Sequence, residues 1–593
     1  MLFKKQITCD FCVIGGGLSG MCAAISAARE GLNVVLMHER PVLGGNASSE
    51  IRMWISGAMG ENNRETGIIE EIALESLYRN PAKSYAVWDS ILYSFVRREK
   101  NITLLLNCTC MEADTEEGSY AHGRTKRIRS VTGYQMTTQQ FVEVCADYFA
   151  DCSGDSILAP LVGAEFRIGR EAADEFGEIT STQVADKKTM GMSCLIQGRE
   201  THQPIPYLPP EWAAKLTEKH FENRGPRICN DSENFWYLEL GGNRDSIADT
   251  EELRDELLDL AAGTWDYIKN SGKFDTQNWD LEFLGFLPGK RESRRMCGEY
   301  MITQRDISDN TVFEDEIAYG GWPLDDHFPD GFYHRGTPNT NYKTPAPYSI
   351  PYRCLYSKNV DNLFFAGRNI SMTHMAMSSI RVMATCSLLG EAVGKAAHLA
   401  STNSCAPHDV YLRHLAELQN KLLECDCFLP SKVRAVSDTC QNAVLTGATD
   451  LIRNGQDRPH PIYHTDDETG CCRIAPGSAV TYRFPETTVH SVHLVFSSDL
   501  DRTTLHGSYV EKNRSTRSNY RLDQPLQRMP MTLCREFYLY GEREGIRQEL
   551  MHVTDNHKRT YHLELDRPFD KLTLLPVSSW GCENVHLISF DFA

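Results

Sequence analysis

A short glycine-rich segment near the N-terminus constrains the fold of this chain more than any other feature. Residues 10–20 have the sequence DFCVIGGGLSG, in which an apolar run precedes Gly15, Gly17 and Gly20. The apolar run is typical of a strand buried on both faces, and the small residues that follow favour a helix over 21–29. Glycines at this spacing permit a tight turn, close approach of a pyrophosphate and close helix–strand packing. The segment therefore predicts the start of a dinucleotide-binding β-α-β unit.

The next predicted strand supports this interpretation. Residues 33–38 are mostly apolar and lead to Glu39, nineteen residues after Gly20. A carboxylate at this place accepts hydrogen bonds from the adenosine ribose of a dinucleotide. The N-terminus of the helix between the two strands supplies N–H groups for the phosphates.

Length and charge limit the classes of partner. A chain of 593 residues is expected to form two or three domains. The net charge of −19 argues against a nucleic acid or an anionic membrane surface as partner and favours a small-molecule substrate. The first eight residues are too polar for a signal peptide, and no run of about eighteen apolar residues occurs. The oligomeric state is left open, a homo-oligomer included.

The cysteines indicate the redox state of the compartment in which the protein is expected. The chain has twenty of them, and their close pairs lack the spacing of zinc sites. We therefore interpret them as reduced and mostly buried thiols, and expect a cytoplasmic protein without a metal site.

A second segment with a strand, a glycine and a helix lies far downstream. Residues 362–366 are mostly apolar, Gly367 and Arg368 follow, and a long helix is predicted over about 379–400. Two-part flavin folds use such a late segment to bring a second helix N-terminus to the flavin, which simple NAD dehydrogenases do not need. FAD is therefore favoured over NAD as the dinucleotide.

Periodicity predicts further elements. Helices are expected over 66–78, 89–99 and 250–269, and strands over 102–108, 129–136 and 141–149. Beyond about residue 450, short strands are expected over 490–496, 535–540, 560–565, 571–576 and 585–592. A series of short strands with almost no helical pattern is typical of a β-sandwich.

Four motifs together resemble the FAD-dependent oxidoreductases of the glutathione-reductase-like superfamily. They are residues 15–20, 43–48, 151–155 and 366–369. Residues 287–300 and 378–383 are similar to a bacterial subfamily sometimes labelled xanthan lyase-like. The resemblance covers about residues 8–400, and the tail resembles a sandwich domain appended to some of those proteins. Where the superfamily commonly has Gly-Asp in the late motif, this chain has Gly367-Arg368.

The resemblance implies an α/β fold with a Rossmann-like two-part FAD-binding domain, an inserted α+β substrate domain and a C-terminal all-β sandwich. The expected ranges are 1–164 and 349–445 for the FAD-binding parts, 165–348 for the substrate domain and 446–593 for the sandwich. It also implies which residues contact FAD: Gly15, Gly17, Gly20, Glu39 and Arg40 at the ADP half, Gly45, Asn46 and Ser48 along the pyrophosphate or ribityl chain, Asp155 near the ribityl, and Gly367 and Arg368 at the flavin end.

Residues 289–295, GKRESRR, contain four cations and one carboxylate. Such runs are often solvated surface loops, but the apolar residues around this one favour partial burial. A guanidinium can stabilise a reduced flavin or bind a substrate carboxylate or hydroxyl. Arg291, Arg294 and Arg295 are therefore candidate site residues, of which Arg291 and Arg295 are taken as catalytic.

Oxidation of an alcohol by a flavin requires a base for the hydroxyl proton. His374 follows the late glycine motif closely. His327 lies in a polar loop where Asp325 or Asp326 can orient its ring. We expect one of the two histidines to be the base, although a surface or core role is the ordinary outcome for each. Tyr352, Arg353 and Trp580, an aromatic that could stack on a sugar or lie in the core, are weaker candidates.

Together these features predict an FAD-dependent oxidoreductase that oxidises a secondary alcohol of a sugar or glycoside by hydride transfer to flavin N5. Two other enzymatic activities stay open: a redox-neutral carbohydrate lyase or glycosidase with transient oxidation, and a flavin reductase of an activated double bond. A carbohydrate-binding protein with a vestigial FAD fold is the non-enzymatic alternative.

Overall fold

The computed structural model describes residues 3–222, 224–226, 228, 233–463, 470–505 and 519–593. As far as it is described, the chain forms two compact units. The first comprises Met1–Ala58, Lys83–Leu418 and Ser508–Pro525, and the second Met59–Ala82, Gln419–Gly507 and Leu526–Ala593. Among the helices in the described ranges, none has both the length and the apolar content needed to cross a membrane.

The strands of the first unit, in chain order, are β1 Lys4–Ile14, β2 Val34–Met37, β3 Ile102–Leu105, β4 Cys108–Glu117, β5 Lys126–Gln135, β6 Gln140–Asp151, β7 Phe166–Arg167, β8 Met192–Ser193, β9 Ile196–Glu200, β10 Glu239–Leu240, β11 Trp279–Leu284, β12 Gly289–Lys290, β13 Arg295–Met296, β14 Glu316–Gly320, β15 Tyr348–Pro351 and β16 Leu363–Phe365. The α-helices in the described residues are α1 Leu18–Arg29, α2 Ile68–Arg79, α3 Tyr85–Arg98, α4 Leu158–Val162, α5 Ala173–Phe176, α6 Thr250–Asn270, α7 Gln304–Ser308, α8 His374–Ile380, α9 Met383–Thr402, α10 Pro407–Arg413, α11 Leu415–Glu424 and α12 Asp438–Asn442.

A seven-stranded sheet forms the centre of the first unit. Its order is β3-β2-β1-β6-β5-β4, and β16 pairs with the end of β6. The strands β1, β2, β3, β6 and β16 are parallel, whereas β4 and β5 form an antiparallel extension. All four residues of β2 are buried, as expected for a parallel strand covered on both faces. The predicted Rossmann-like α/β fold is confirmed.

The small residues of the late helix have a packing role. A Cβ atom at Gly390 would lie 2.0 Å from the carbonyl oxygen of Ser19, and one at Gly394 would lie 2.5 Å from that of Ala23. Only glycine therefore lets α9 lie this close to α1. The predicted continuous helix from about residue 379 was wrong, because Val382 has an extended backbone that separates α8 from α9.

Between β6 and β16 the chain forms several small sheets and the long helix α6. The sheets have the orders β10-β8-β12, β11-β9, β13-β7 and β14-β15. One face of α6 supplies Leu253, Leu257, Ala261 and Trp265 to an apolar core that Ile196 and Trp279 complete. This is the expected α+β insertion.

The second unit contains an antiparallel sheet. Its strands are β17 Val444–Thr446, β18 Cys472–Ile474, β19 Val480–Phe496, β20 Cys534–Arg543, β21 Ile546–Val553, β22 Thr560–Ser579 and β23 Val585–Phe592. They pair in the order β18-β23-β19-β22-β20-β21, with β17 on β19. Tyr482, Leu494, Leu574 and Phe590 are among the residues of a single core. The all-β C-terminal fold is thus confirmed.

One strand prediction in this unit was wrong. Residues 560–565 and 571–576 belong to the single strand β22, not to two strands. The polar residues between them resemble a turn in the sequence, and Asp566 does have a positive φ of 51°. Pairing with β19 nevertheless continues beyond this irregularity, which is a bulge and not a turn.

Candidate functional site

The parallel strands of the first unit deliver the predicted cofactor residues to one edge of the sheet. β1 ends before Gly15, β2 before residues 38–40, β6 before residues 152–155 and β16 before Gly367. Carboxyl ends of parallel strands lie at the same sheet edge, which is where ligands bind in open α/β folds. All four segments line one cavity of about 630 Å³.

We call one part of the cavity lining the glycine wall: residues 15–19, 38–40, 44–46, 152–155, 367 and 368. Gly15 has a φ of +106°, and a Cβ atom there would lie 2.3 Å from the carbonyl oxygen of Cys152. Gly45 has a φ of +60°, and its Cβ atom would lie 3.0 Å from the Cα atom of Gly17. Two backbone turns therefore meet where no side chain fits, which keeps main chain open to a bound phosphate.

Charge along the glycine wall also suits an anionic ligand. Asp155 accepts hydrogen bonds from Arg368 at 2.7 Å, Ser293 at 2.7 Å and Lys290 at 2.9 Å. Burial disfavours the charged form of Asp155, but Arg368 and Lys290 outweigh burial and hold its pKa well below the usual range. One carboxylate thus fixes two cations at the cavity, which leaves one excess positive charge. The glycine turns, this charge and the cavity volume together fit a dinucleotide such as FAD.

The other predicted cofactor residues divide between the cavity and its surroundings. Glu39, Arg40 and Asn46 line it, and Asn46 donates a hydrogen bond of 3.1 Å to the carbonyl oxygen of Lys290. Gly20 and Ser48 are buried outside the described lining. A Cβ atom at Gly20 would lie 1.9 Å from the carbonyl oxygen of Gly15, so this glycine shapes the turn from behind.

A second part of the lining, the histidine wall, consists of side chains from distant segments: Trp236, Arg291, Trp322, Asp325, His327, Asn339, Asn341 and Arg381. His327 is almost fully buried, and its Nδ1 lies 2.6 Å from a carboxylate oxygen of Glu239. Its Nε2 lies 3.7 Å from the nearest oxygen of Asp325, which is beyond hydrogen-bond distance.

Asp325 organises this wall. It accepts hydrogen bonds from Trp322 Nε1 at 3.3 Å, from Arg381 at 3.3 Å and from the amide of Asn339. Burial opposes its ionisation, but His327 and Arg381 lower the pKa of Asp325 far below the usual range. Asp325 therefore favours its charged form and accepts hydrogen bonds from three polar side chains of the wall.

The predicted arginines do not act as one cluster. Arg291 lines the cavity, but it donates to the Ser193 hydroxyl and to the Trp236 carbonyl, both at 2.9 Å. It also lies 3.6 Å from Glu239. Arg295 is fully buried outside the described lining. It donates to Glu171 at 2.9 Å and to the Met372 carbonyl at 2.7 Å.

His374 occupies a different environment from His327. It is 1 % exposed and lies outside the described lining. Its Nδ1 lies 2.8 Å from Glu292 and its Nε2 3.0 Å from Asp326. Burial would lower the pKa of His374, but the two carboxylates raise it to about 10. A ring with both nitrogens bonded in this way carries a proton on each and has no lone pair to accept another.

The weaker candidates lie away from the cavity. Tyr352 is buried and donates to the Pro407 carbonyl at 2.9 Å, and Arg353 is paired with Asp315 at 2.9 Å. Trp580, in the second unit, packs against the core and donates its N–H to the Asn556 carbonyl at 2.6 Å.

Sequence reasoning missed several residues of the cavity. Lys290 lies next to the chosen Arg291, and its position in the cation-rich segment was a usable signal. Arg381 lies in residues 378–383, which were singled out only for their resemblance. No local pattern marked Glu239, Trp236 or Trp322, because their function depends on contacts with residues far away in the chain.

Comparisons with known proteins agree with this architecture. The sequence matches the model of the family described as FAD dependent oxidoreductase over residues 10–422. No curated protein matches the chain.

Three solved structures illustrate the likeness to known folds. p-Nitrophenol 4-monooxygenase from Pseudomonas putida DLL-E4 has 10% identity and a TM-score of 0.30, over 71% of this chain and 85% of its own. Escherichia coli quinol fumarate reductase FrdA has 11% identity and a TM-score of 0.28, over 71% and 75%. A family 32 carbohydrate-binding module from Streptococcus pneumoniae EndoD has 13% identity and a TM-score of 0.19, over 26% and 99%. At these scores the likenesses carry no inference about function.

The family match spans most of the chain and includes every segment of the glycine wall. It agrees with the fit of FAD to the cavity. The chain belongs to the family of FAD-dependent oxidoreductases.

Proposed function

We propose that this oxidoreductase oxidises a secondary alcohol of a sugar or glycoside, with His327 as the base. The observation that carries the proposal is the place of His327 in the described cavity lining, with its Nδ1 2.6 Å from a carboxylate oxygen of the buried Glu239. Of the two predicted histidines, only His327 combines a place in the described lining with a ring nitrogen that has no hydrogen bond to a carboxylate.

Glu239 would determine which nitrogen of His327 reacts. A carboxylate at Nδ1 favours the tautomer with its proton on that nitrogen, and Nε2 then carries the lone pair. A substrate hydroxyl at Nε2 would give its proton to the ring, and Glu239 would stabilise the resulting imidazolium. Burial would raise the pKa of Glu239, but Arg291 and His327 lower it below the usual range, so the carboxylate is charged when it is needed.

The glycine wall would hold the cofactor. Gly15, Gly17 and the N-terminus of α1 would contact the pyrophosphate, Glu39 and Arg40 the adenosine, and Asn46 and Gly367 the rest of the molecule. When bound, FAD supplies the acceptor for the hydride that leaves the alcohol carbon. Lys290 and Arg368, which Asp155 fixes in place, would balance negative charge in the cavity. Asp155 and Ser48 would act indirectly, by supporting these contacts.

The composition of the histidine wall supports a neutral, polyhydroxylated substrate. Trp236 and Trp322 supply apolar aromatic surface, and Asn339 and Asn341 supply amide groups that can bond to hydroxyls. The cations of the wall are paired: Arg381 lies 3.3 Å from Asp325 of the wall, and Arg291 lies 3.6 Å from Glu239, which is buried outside the described lining. A sugar ring presents the matching combination of apolar faces and hydroxyl edges.

The test is anaerobic reduction of the bound flavin by a panel of sugars and glycosides, followed as loss of the flavin absorbance. Wild-type protein is expected to bleach with at least one member. His327→Gln should bleach about 100-fold more slowly or worse, because general base catalysis contributes about 10²–10⁴-fold. The matched control is His408→Gln, which changes a histidine of the same unit that lies 2.5 Å from Glu299 and outside the described lining.

Other outcomes would overturn the proposal. Product release without consumption of an electron acceptor would indicate a redox-neutral lyase or glycosidase. Bleaching by NAD(P)H with turnover of an activated double bond would indicate a reductase. Purified protein without a flavin spectrum would favour a carbohydrate-binding protein. Equal rates in His327→Gln and wild type would exclude His327 as the base.

Three finer assignments belong to the same proposal. They are membership of the glutathione-reductase-like superfamily and its xanthan lyase-like subfamily, the division into domains at residues 164, 348 and 445, and a location in the cytoplasm. Most of the nineteen described cysteines are buried, as expected of inert thiols in a reducing compartment.

A further inference from the structure

The segment that carries His327 has little regular structure of its own. Residues 321–342, which we call the His327 loop, contain one short 3-10 turn, Gly331–Tyr333, and isolated bridges such as His327–Asn339. Trp322, Asp325 and His327 nevertheless all lie in the histidine wall. A loop without a sheet or helix to hold it depends on contacts with neighbouring elements for its position.

Helix α8 and the residue after it contact the first part of the loop, whereas Arg224 donates to carbonyl oxygens in its later part, such as those of Gly331 and Phe332. His374 Nε2 lies 3.0 Å from Asp326, and the backbone N–H of Asp325 donates to the Ser378 carbonyl at 3.4 Å. The Ser379 hydroxyl donates to the carbonyl of Trp322. Two of the contacts join charged side chains: His374 with Asp326, and Arg381 with Asp325 at 3.3 Å.

His374 also contacts the cation-rich segment on its other side. Its Nδ1 lies 2.8 Å from Glu292, which accepts a hydrogen bond of 2.9 Å from the Met190 N–H and lies 3.4 Å from Arg295. The side chain of Glu292 is fully buried, and that of Asp326 is 20 % exposed. The imidazole therefore lies between two carboxylates that would repel each other without a cation between them.

We infer that His374 is a positioning residue: as a buried imidazolium it joins Asp326 of the His327 loop to Glu292, and so holds Asp325 and His327 in the cavity wall. The inference rests on the proposed function for the role of His327. It assigns no proton transfer to His374, since both of its ring nitrogens are bonded to carboxylates. The loss of His374 should release the loop without removing any group of the glycine wall.

Hydrogen–deuterium exchange tests the contact without a substrate. The full chain loaded with FAD is compared as wild type, His374→Gln and the control His408→Gln. In His374→Gln, amides of residues 321–342 are expected to exchange at least 10-fold faster, while residues 10–20 stay protected and FAD stays bound. His408→Gln should match wild type throughout. Unchanged protection of the His327 loop in a folded His374→Gln protein would overturn the inference.

If His374→Gln fails to fold, residues 10–20 will exchange fast in addition to the loop. A second variant then tests the inference. Asp326→Ala removes the same contact from the partly exposed side of the pair. It should release the same loop, and full protection of the loop in this variant would again count against the inference.

The pH dependence of flavin bleaching separates positioning from catalysis. With a substrate found in the panel, His374→Gln should lower the maximal rate about 10-fold but keep the pH dependence of wild type, because the base is still present. His327→Gln should change the pH dependence itself. The reverse pattern would make His374 the base and overturn the inference. If no alcohol bleaches the flavin, the proposed function fails, and the exchange experiment still decides whether His374 holds the loop.

Discussion

The glycine wall and the histidine wall of the cavity are built in different ways. The glycine wall consists mainly of turns that directly follow strands, so its shape comes from backbone conformation within a few residues of each glycine. The histidine wall consists of side chains from segments up to about 145 residues apart, from Trp236 to Arg381. Local backbone geometry can specify the first, whereas buried charge pairs must specify the second.

The largest expected effect concerns the glycine wall. Gly15→Ala should remove bound FAD, because a Cβ atom there meets the Cys152 carbonyl at 2.3 Å and φ is +106°. The measurement is the flavin content of the purified protein after gel filtration. Gly31→Ala is the control: its φ is +98°, but nothing lies within 4 Å of the added carbon. It should keep FAD at a cost of about 1 kcal/mol in stability. Full flavin content in Gly15→Ala would show that the turn tolerates a shift.

The next effect contrasts two neighbouring arginines outside the described cavity lining. Arg295→Gln should lower the free energy of unfolding by about 3–5 kcal/mol, because it takes the nearest cation from the buried Glu171 and leaves His374 as the cation beside Glu292. Arg294→Gln should cost less than about 1 kcal/mol, since Arg294 is only half-buried and donates to the Asp155 carbonyl. Denaturant titration measures both. Equal losses of unfolding free energy in the two variants would contradict the stabilising role of the buried ion pairs of Arg295.

A smaller effect is expected at Glu239. Glu239→Gln should slow flavin bleaching about 10- to 100-fold, because an amide cannot stabilise the imidazolium of His327 as a carboxylate does. Glu316→Gln is the control, since it changes another fully buried carboxylate, which accepts from Ser349 at 2.7 Å outside the described lining. Stopped-flow absorbance gives the rates. An unchanged rate in Glu239→Gln would argue against the proposed base.

The last prediction is a dependence of stability on pH. The pKa of His374 rises from 6.5 to about 10 in the folded protein, where Glu292, Asp326, Glu171 and Glu178 surround it. The stability that this cation contributes is therefore complete below about pH 6.5 and is lost as pH rises through about 10. The melting temperature of wild type should exceed that of His374→Gln at pH 6 and approach it near pH 10.5. A constant difference would contradict the raised pKa.

Particular residues show how far sequence reasoning reached. Gly15, Gly17 and Glu39 were found because turn geometry and strand–helix spacing are visible locally. The assignment of Gly45 and Arg368 to the cofactor came from the family resemblance. The sequence offered two histidines as the base: His374, because it follows the late glycine motif, and His327, because it lies in a polar loop beside two aspartates. Only the structure shows that two carboxylates bind both nitrogens of His374, while one bonds to His327. The arginine segment likewise suggested a single cluster, yet Lys290, Arg291 and Arg295 contact three different carboxylates.

The amino-acid sequence by itself determined the class of fold and the cofactor, because steric limits on glycine turns and the apolar pattern of parallel strands act over a few residues. The tertiary structure alone decided which histidine lines the cavity and which charges face it. Those properties depend on the distance between ionised groups in a buried environment. The fold brings such groups together from segments whose local sequences do not indicate that they will be neighbours.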